Sequence, residues 1–80
     1  MRLPRDVSGQ NLIRALGRLG YEVTRRKGSH SRLTTLAGGQ HHVTVPDHDP
    51  LKSGTLSSIL GDVAEHFKIS KEELMSRLFE

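Results

Sequence analysis

Eighty residues suffice for one domain, so residues 1–80 are expected to fold as a single unit. With 34% hydrophobic and 26% charged residues the composition is globular rather than disordered, and the lack of cysteine excludes disulfides, thiolate metal sites and a cysteine nucleophile. Charge is lopsided: residues 1–32 carry eight basic side chains (Arg2, Arg5, Arg14, Arg18, Arg25, Arg26, Lys27, Arg32) against Asp6 and Glu22, whereas residues 33–80 carry four basic against seven acidic. A basic half on a small domain attracts polyanions, nucleic acid above all, although a solvated basic surface without a partner has the same composition.

The opening Met1-Arg2-Leu3-Pro4-Arg5 lacks the apolar core of a signal peptide, and no apolar run approaches a membrane span. A cytoplasmic protein without membrane contact is therefore expected. Ser8 reads as a helix N-cap, followed by Leu12, Ile13, Leu16 and Leu19 in one apolar stripe, with Gly20 as a left-handed terminator. These features predict a helix over residues 9–19.

From Tyr21 the period changes to two, and strands are predicted from Tyr21 to about residue 26, over 30–36 and over 41–45. The breaks at Lys27-Gly28-Ser29 and Ala37-Gly38-Gly39 make these strands an antiparallel meander. One face must be apolar, and Val23, Leu33, Val43 and Val45 are the candidates. Setting Val23 across from Leu33 calls for a three-residue loop at Lys27-Gly28-Ser29, which places Arg26 directly opposite His30. The other face then carries Thr24, Arg26, His30, Arg32, Thr34, His42 and Thr44. A polar loop, Asp47 to Ser53, precedes a second helix from about Gly54, with Leu56, Ile59, Leu60, Val63 and Phe67 in one stripe. Gly61 within it is expected to serve close packing. Ser70 with Glu73 reads as a capping box opening a short third helix with Leu74, Met75, Leu78 and Phe79. The order is α-β-β-β-α-α, which predicts an α+β fold of two layers: a three-stranded antiparallel sheet with helices on one face and the other face bare.

A histidine among arginines on a bare face suits phosphodiester chemistry. Imidazole can take a proton from a ribose 2′-hydroxyl or give one to a leaving oxygen near neutral pH, and guanidinium can neutralise charge on the phosphorane. Taken alone, His30 reads more readily as a surface side chain beside a turn than as a catalytic group. A metal site is not expected, because adjacent His41 and His42 point to opposite faces and no established ligand spacing occurs, even if His48 reached toward His42. No nucleophile elbow surrounds any serine, and no helix follows Gly38-Gly39 to make a phosphate loop.

Four motifs stand in a telling order. Val7-Ser8-Gly9 leads into Leu16-Gly17-Arg18-Leu19-Gly20-Tyr21-Glu22-Val23; Arg26-Lys27-Gly28-Ser29-His30 follows; then Val43-Thr44-Val45-Pro46 with His48; then Leu51-Lys52-Ser53-Gly54-Thr55-Leu56-Ser57-Ser58-Ile59-Leu60. Together they resemble the HicA toxin family over about residues 7–78, with Gly28-Ser29-His30 in the place of its "(K/R)-G-S-H" hallmark. The chain departs from many members at Ser31, where a second histidine or a bulkier residue is common, and its third helix lies in a variable region. The resemblance implies a double-stranded-RNA-binding-domain-like (dsRBD-like) fold, a type II toxin–antitoxin toxin that cleaves mRNA, His30 as the catalytic histidine, no cofactor, and a HicB-type antitoxin covering the active face. The residues themselves suggest Arg25, Arg26, Lys27, Ser29 and Arg32 as RNA-binding groups, with water, Lys27 or His42 left to make the second proton transfer. The alternatives are a dsRBD-like module that binds RNA without cutting it, and a domain that only docks to its antitoxin.

Overall fold

The computed structural model describes residues 3–80, so Arg2 of the basic half lies outside the described residues. The elements are α1 (Gly9–Leu16), a 3₁₀ turn (Gly17–Leu19), β1 (Glu22–Lys27), β2 (His30–Thr35), β3 (His41–Pro46), α2 (Ser53–Phe67) and α3 (Lys71–Phe79). This is the expected α+β order, with the strands in one antiparallel sheet in the order β1-β2-β3.

α1 starts where its cap chemistry dictates. The Asn11 amide donates to Ser8 Oγ at 3.0 Å and the Ser8 amide donates to Asn11 Oδ1 at 3.3 Å, so each residue satisfies an amide of the other. Gly20 ends the following turn with φ 86°, a conformation that side chains disfavour. α3 is capped on one side only. The Glu73 amide donates to Ser70 Oγ at 3.0 Å, but the Glu73 carboxylate, expected to complete a capping box, instead pairs with Arg77 one turn on.

The core is aliphatic, as the scarcity of aromatic residues requires. Leu12 and Leu16 of α1, Leu33 of β2, Val45 of β3, Leu60 and Val63 of α2 and Leu74 of α3 are fully buried together. Burying each such side chain contributes about 1.5–3 kcal/mol. Both α1 and α2 pack on β3, and α3 packs against both helices. With Leu74 and Leu78 buried and Met75 and Phe79 packed beside them, α3 completes the core.

The helices leave β1 uncovered, and its residues are exposed throughout. Val23 shares the face of Leu33, as expected, but it is 36% exposed and does not join the core. An uncovered edge strand rich in Arg and Lys resists pairing with other chains.

The β2–β3 register is the expected one, with Leu33 opposite Val43. On the other side, Val23 lies opposite Leu33 as expected, but the ladder then slips at Thr24: Arg25 pairs with Arg32, Arg26 with Ser31 and Lys27 with His30. Thr24 is a β-bulge, one extra residue in β1 that reverses the facing of everything after it. The turn accordingly has two residues, Gly28 and Ser29, rather than three, with Gly28 at φ 58°. The expected juxtaposition of Arg26 and His30 is therefore corrected to Lys27 and His30.

Candidate nucleic-acid interface on the open sheet face

Three cross-strand rows make up the open face. Lys27 and His30 form the row nearest the β1–β2 turn, continued by the buried Pro46; Arg25, Arg32 and Thr44 form the next; Glu22, Thr34 and His42 form the third. Side chains of the first two rows converge on a shallow cleft lined by Arg25, Lys27, His30, Arg32 and Thr44. Three of the expected site residues, Arg25, Lys27 and Arg32, are thus brought together around His30.

Two are placed differently. Arg26 is turned to the opposite face, where its Nη1 donates to Ser31 Oγ at 3.2 Å. Ser31 itself is buried, so the small side chain that follows the motif histidine fills a core position and receives this bond. Ser29 is exposed in the turn, and its carbonyl accepts the Asp47 amide at 2.6 Å, which ties the turn to the end of β3.

The other described basic residues of the first half lie elsewhere. Arg5, Arg14 and Arg18 line a separate groove beside Phe79, and Arg18 Nη1 donates to the carbonyls of Arg77 at 3.3 Å and Glu80 at 2.9 Å, closing the end of α3. Among the described residues of the basic half, the cations of the open face come from β1 and β2.

At the third row the hydroxyls and the imidazole form a chain. Thr24 Oγ1 donates to the Arg32 carbonyl at 3.3 Å and lies 2.9 Å from Thr34 Oγ1, which lies 2.7 Å from His42 Nδ1. His42 and His48 are not brought together: His42 sits on Thr34, while the His48 carbonyl accepts the Gly9 amide at the other end of β3. Among the described residues no three His, Cys, Asp or Glu side chains gather closely enough to hold a metal ion.

A second polar cluster, absent from the sequence reading, lies between the β2–β3 hairpin and α2. Burial, with the Asp62 charge adding to it, pushes the Tyr21 phenol up to about 12. The phenol keeps its proton and donates to His41 Nδ1 at 2.7 Å, which leaves the opposite ring nitrogen to donate to Asp62 Oδ1 at 3.4 Å. The His66 ring stacks on His41 with centroids 4.4 Å apart, and its Nε2 donates to the Ala37 carbonyl at 2.9 Å. The parity of the strands was the available signal. Tyr21 shares the parity of Val23, and His41 that of Val43 and Val45, so extending the core face one step at each end places both on it.

A small α+β domain with a bare cationic sheet face and an exposed histidine at its hairpin is arranged as a surface for a polyanion. A family profile described as the HicA toxin of bacterial toxin-antitoxin systems matches residues 9–64, from the first residue of α1 to near the end of α2. No curated protein and no solved structure matches the chain. The protein belongs to the HicA toxin family: it is a toxin of the toxin–antitoxin class, and an antitoxin is its partner. The match ends before α3, and among the described residues no helix is long and apolar enough to cross a membrane.

Proposed function

We propose that the protein is an endoribonuclease that cleaves mRNA in the cytoplasm, with His30 as its catalytic histidine and a HicB-type antitoxin as its inhibitor. The observation that carries this reading is the convergence of His30, Lys27, Arg25 and Arg32 in one cleft on an uncovered sheet face. The ribose 2′-oxygen attacks the adjacent phosphorus, and the 5′-oxygen of the next nucleotide leaves. His30 takes the proton from the 2′-hydroxyl or supplies one to the leaving oxygen; such a contribution amounts to about 10²–10⁴-fold. Lys27, paired with His30, and the Arg25–Arg32 row neutralise charge on the phosphorane and hold flanking phosphates. Because the nucleophile belongs to the substrate, these steps need no cofactor. Arg26, on the other face, plays no part in this arrangement, and Ser29 serves to shape the turn.

The test is induced expression of wild type and His30→Ala, with growth and mRNA integrity followed in the same cultures. Wild type is expected to arrest growth and degrade mRNA; His30→Ala is expected to do neither while remaining folded and able to bind the antitoxin. Intact mRNA with folded wild-type protein would replace this reading with that of an RNA-binding module that does not cut.

A further inference from the structure

We propose that the row Glu22–Thr34–His42 is a base subsite of the RNA face, taking the exocyclic amino group of a nucleobase beside the cleaved step, an inference that rests on the ribonuclease reading above. Its first support is the polarity of the hydroxyl chain. Each threonine hydroxyl has one proton to give. If Thr24 gives its proton to the Arg32 carbonyl, its contact with Thr34 is satisfied only by the Thr34 proton. The 2.7 Å contact between Thr34 Oγ1 and His42 Nδ1 then requires Nδ1 to be the donor. This is the one assignment that satisfies all three contacts, and in the neutral ring it leaves Nε2 as an acceptor. His42 is exposed on the open face.

The second support is charge. The rows at Lys27–His30 and Arg25–Arg32 are cationic, whereas this third row holds the Glu22 carboxylate and no cation. A phosphate finds no cation in that row. A carboxylate and an imidazole lone pair at the two ends of one row accept hydrogen bonds, and amino groups on cytosine, adenine and guanine donate them. Uracil has no such amino group.

The third support is spacing. His30 and Thr34 are four residues apart on β2, about 13 Å of strand, so the subsite lies beyond the reach of the phosphate at His30 and in line for a neighbouring nucleotide. The same spacing removes His42 from the second proton transfer and leaves Lys27 or water for it.

The test uses full-length His30→Ala protein, which leaves the probe intact, and compares its affinity for oligocytidine and oligouridine of equal length. Cytidine is expected to bind roughly tenfold tighter. Adding His42→Ala or Thr34→Val brings the ratio to about one, and Thr34→Ser, which keeps the hydroxyl, restores it. Equal affinities with His42 present, or a preference that survives its removal, would overturn the subsite. Cleavage of the same oligonucleotides by wild type reports separately on the ribonuclease reading, so either conclusion can fail without the other.

Discussion

Arg25 and Arg32 face each other across the β1–β2 ladder, and both residues line the cleft at His30. Like charges directly opposite on a sheet destabilise it by up to about 1 kcal/mol. Nothing in the fold needs this pair, and a polyanion on the face relieves it. Arg32→Thr is therefore expected to raise the melting temperature of the free protein by a few degrees and to weaken its binding to RNA. Thermal unfolding at low and high salt checks the first part, since added salt should stabilise wild type more than the variant. A variant less stable than wild type at low salt would show that the arginine stem packs on the sheet more than its charge repels.

Lys27 and Arg26 are neighbours in sequence but leave β1 on opposite sides. Lys27→Ala is expected to remove one phosphate contact, lowering the slope of log affinity against log salt by about 0.7 for single-stranded RNA. Arg26→Ala is expected to leave that slope unchanged while costing about 1 kcal/mol of stability through the bond to Ser31. Oligoribonucleotide binding over a salt series, with His30→Ala as the background, separates the two. A reduced slope for Arg26→Ala and not for Lys27→Ala would mean that the Thr24 bulge is absent in solution.

That bulge marks the limit of what the residues alone disclose. Val23 with Leu33, and Leu33 with Val43, are legible because apolar residues on alternate positions must share a side. Past Thr24 the strand reads Arg25-Arg26-Lys27, three cations in succession, and hydropathy carries no phase there. An inserted residue in such a stretch leaves no trace in the pattern. The caps at Ser8 and Gly20 and the α+β order are local chemistry and are legible for that reason. The Tyr21–His41–Asp62 cluster joins residues about 20 positions apart at each step, and only the packing of α2 on the hairpin brings them together.

Tyr21 is the sole tyrosine, so phenolate absorbance reports on one site. Its midpoint in the folded protein is expected near 12, against about 10 in the unfolded chain. The folded state holds this proton more tightly, so the contribution to stability is fully present below pH 10 and is lost as pH rises from 10 through 12. Tyr21→Phe removes the donor to His41 and is expected to cost about 1 kcal/mol at neutral pH. The difference in stability between wild type and Tyr21→Phe should then shrink across the alkaline window. A phenol midpoint at 10 in protein that is still folded would show that the ring is not held in the cluster.

Gly9 and Gly61 are both helical glycines, yet they are expected to respond oppositely to alanine. A Cβ on Gly9 would collide with the Pro46 carbonyl oxygen and stand 3.2 Å from Asp47 Cα, both backbone atoms at or just past the end of β3. Neither can swing aside, and the Gly9 amide is bound to the His48 carbonyl at 2.8 Å, so α1 itself would have to move away from the strand. Overpacking of this kind costs about 3 kcal/mol, which in a domain of this size lowers the melting temperature by roughly 10–20 °C. A Cβ on Gly61 would meet Lys71 Cε at 3.1 Å, the far end of a flexible side chain. The packing there is real, as expected of a glycine inside a helix, but it is against a group that can yield. Alanine returns about 1 kcal/mol of helix propensity, and against it stands the bond from Lys71 Nζ to Ser57 Oγ at 2.8 Å. Gly61→Ala is therefore expected to melt at or above the wild-type temperature, and Gly9→Ala far below it. Calorimetry of the two variants decides the matter: a Gly9→Ala protein as stable as wild type would mean that α1 slides along β3 without loss, and the close approach of helix and strand would not be what fixes the first residue of the helix as glycine.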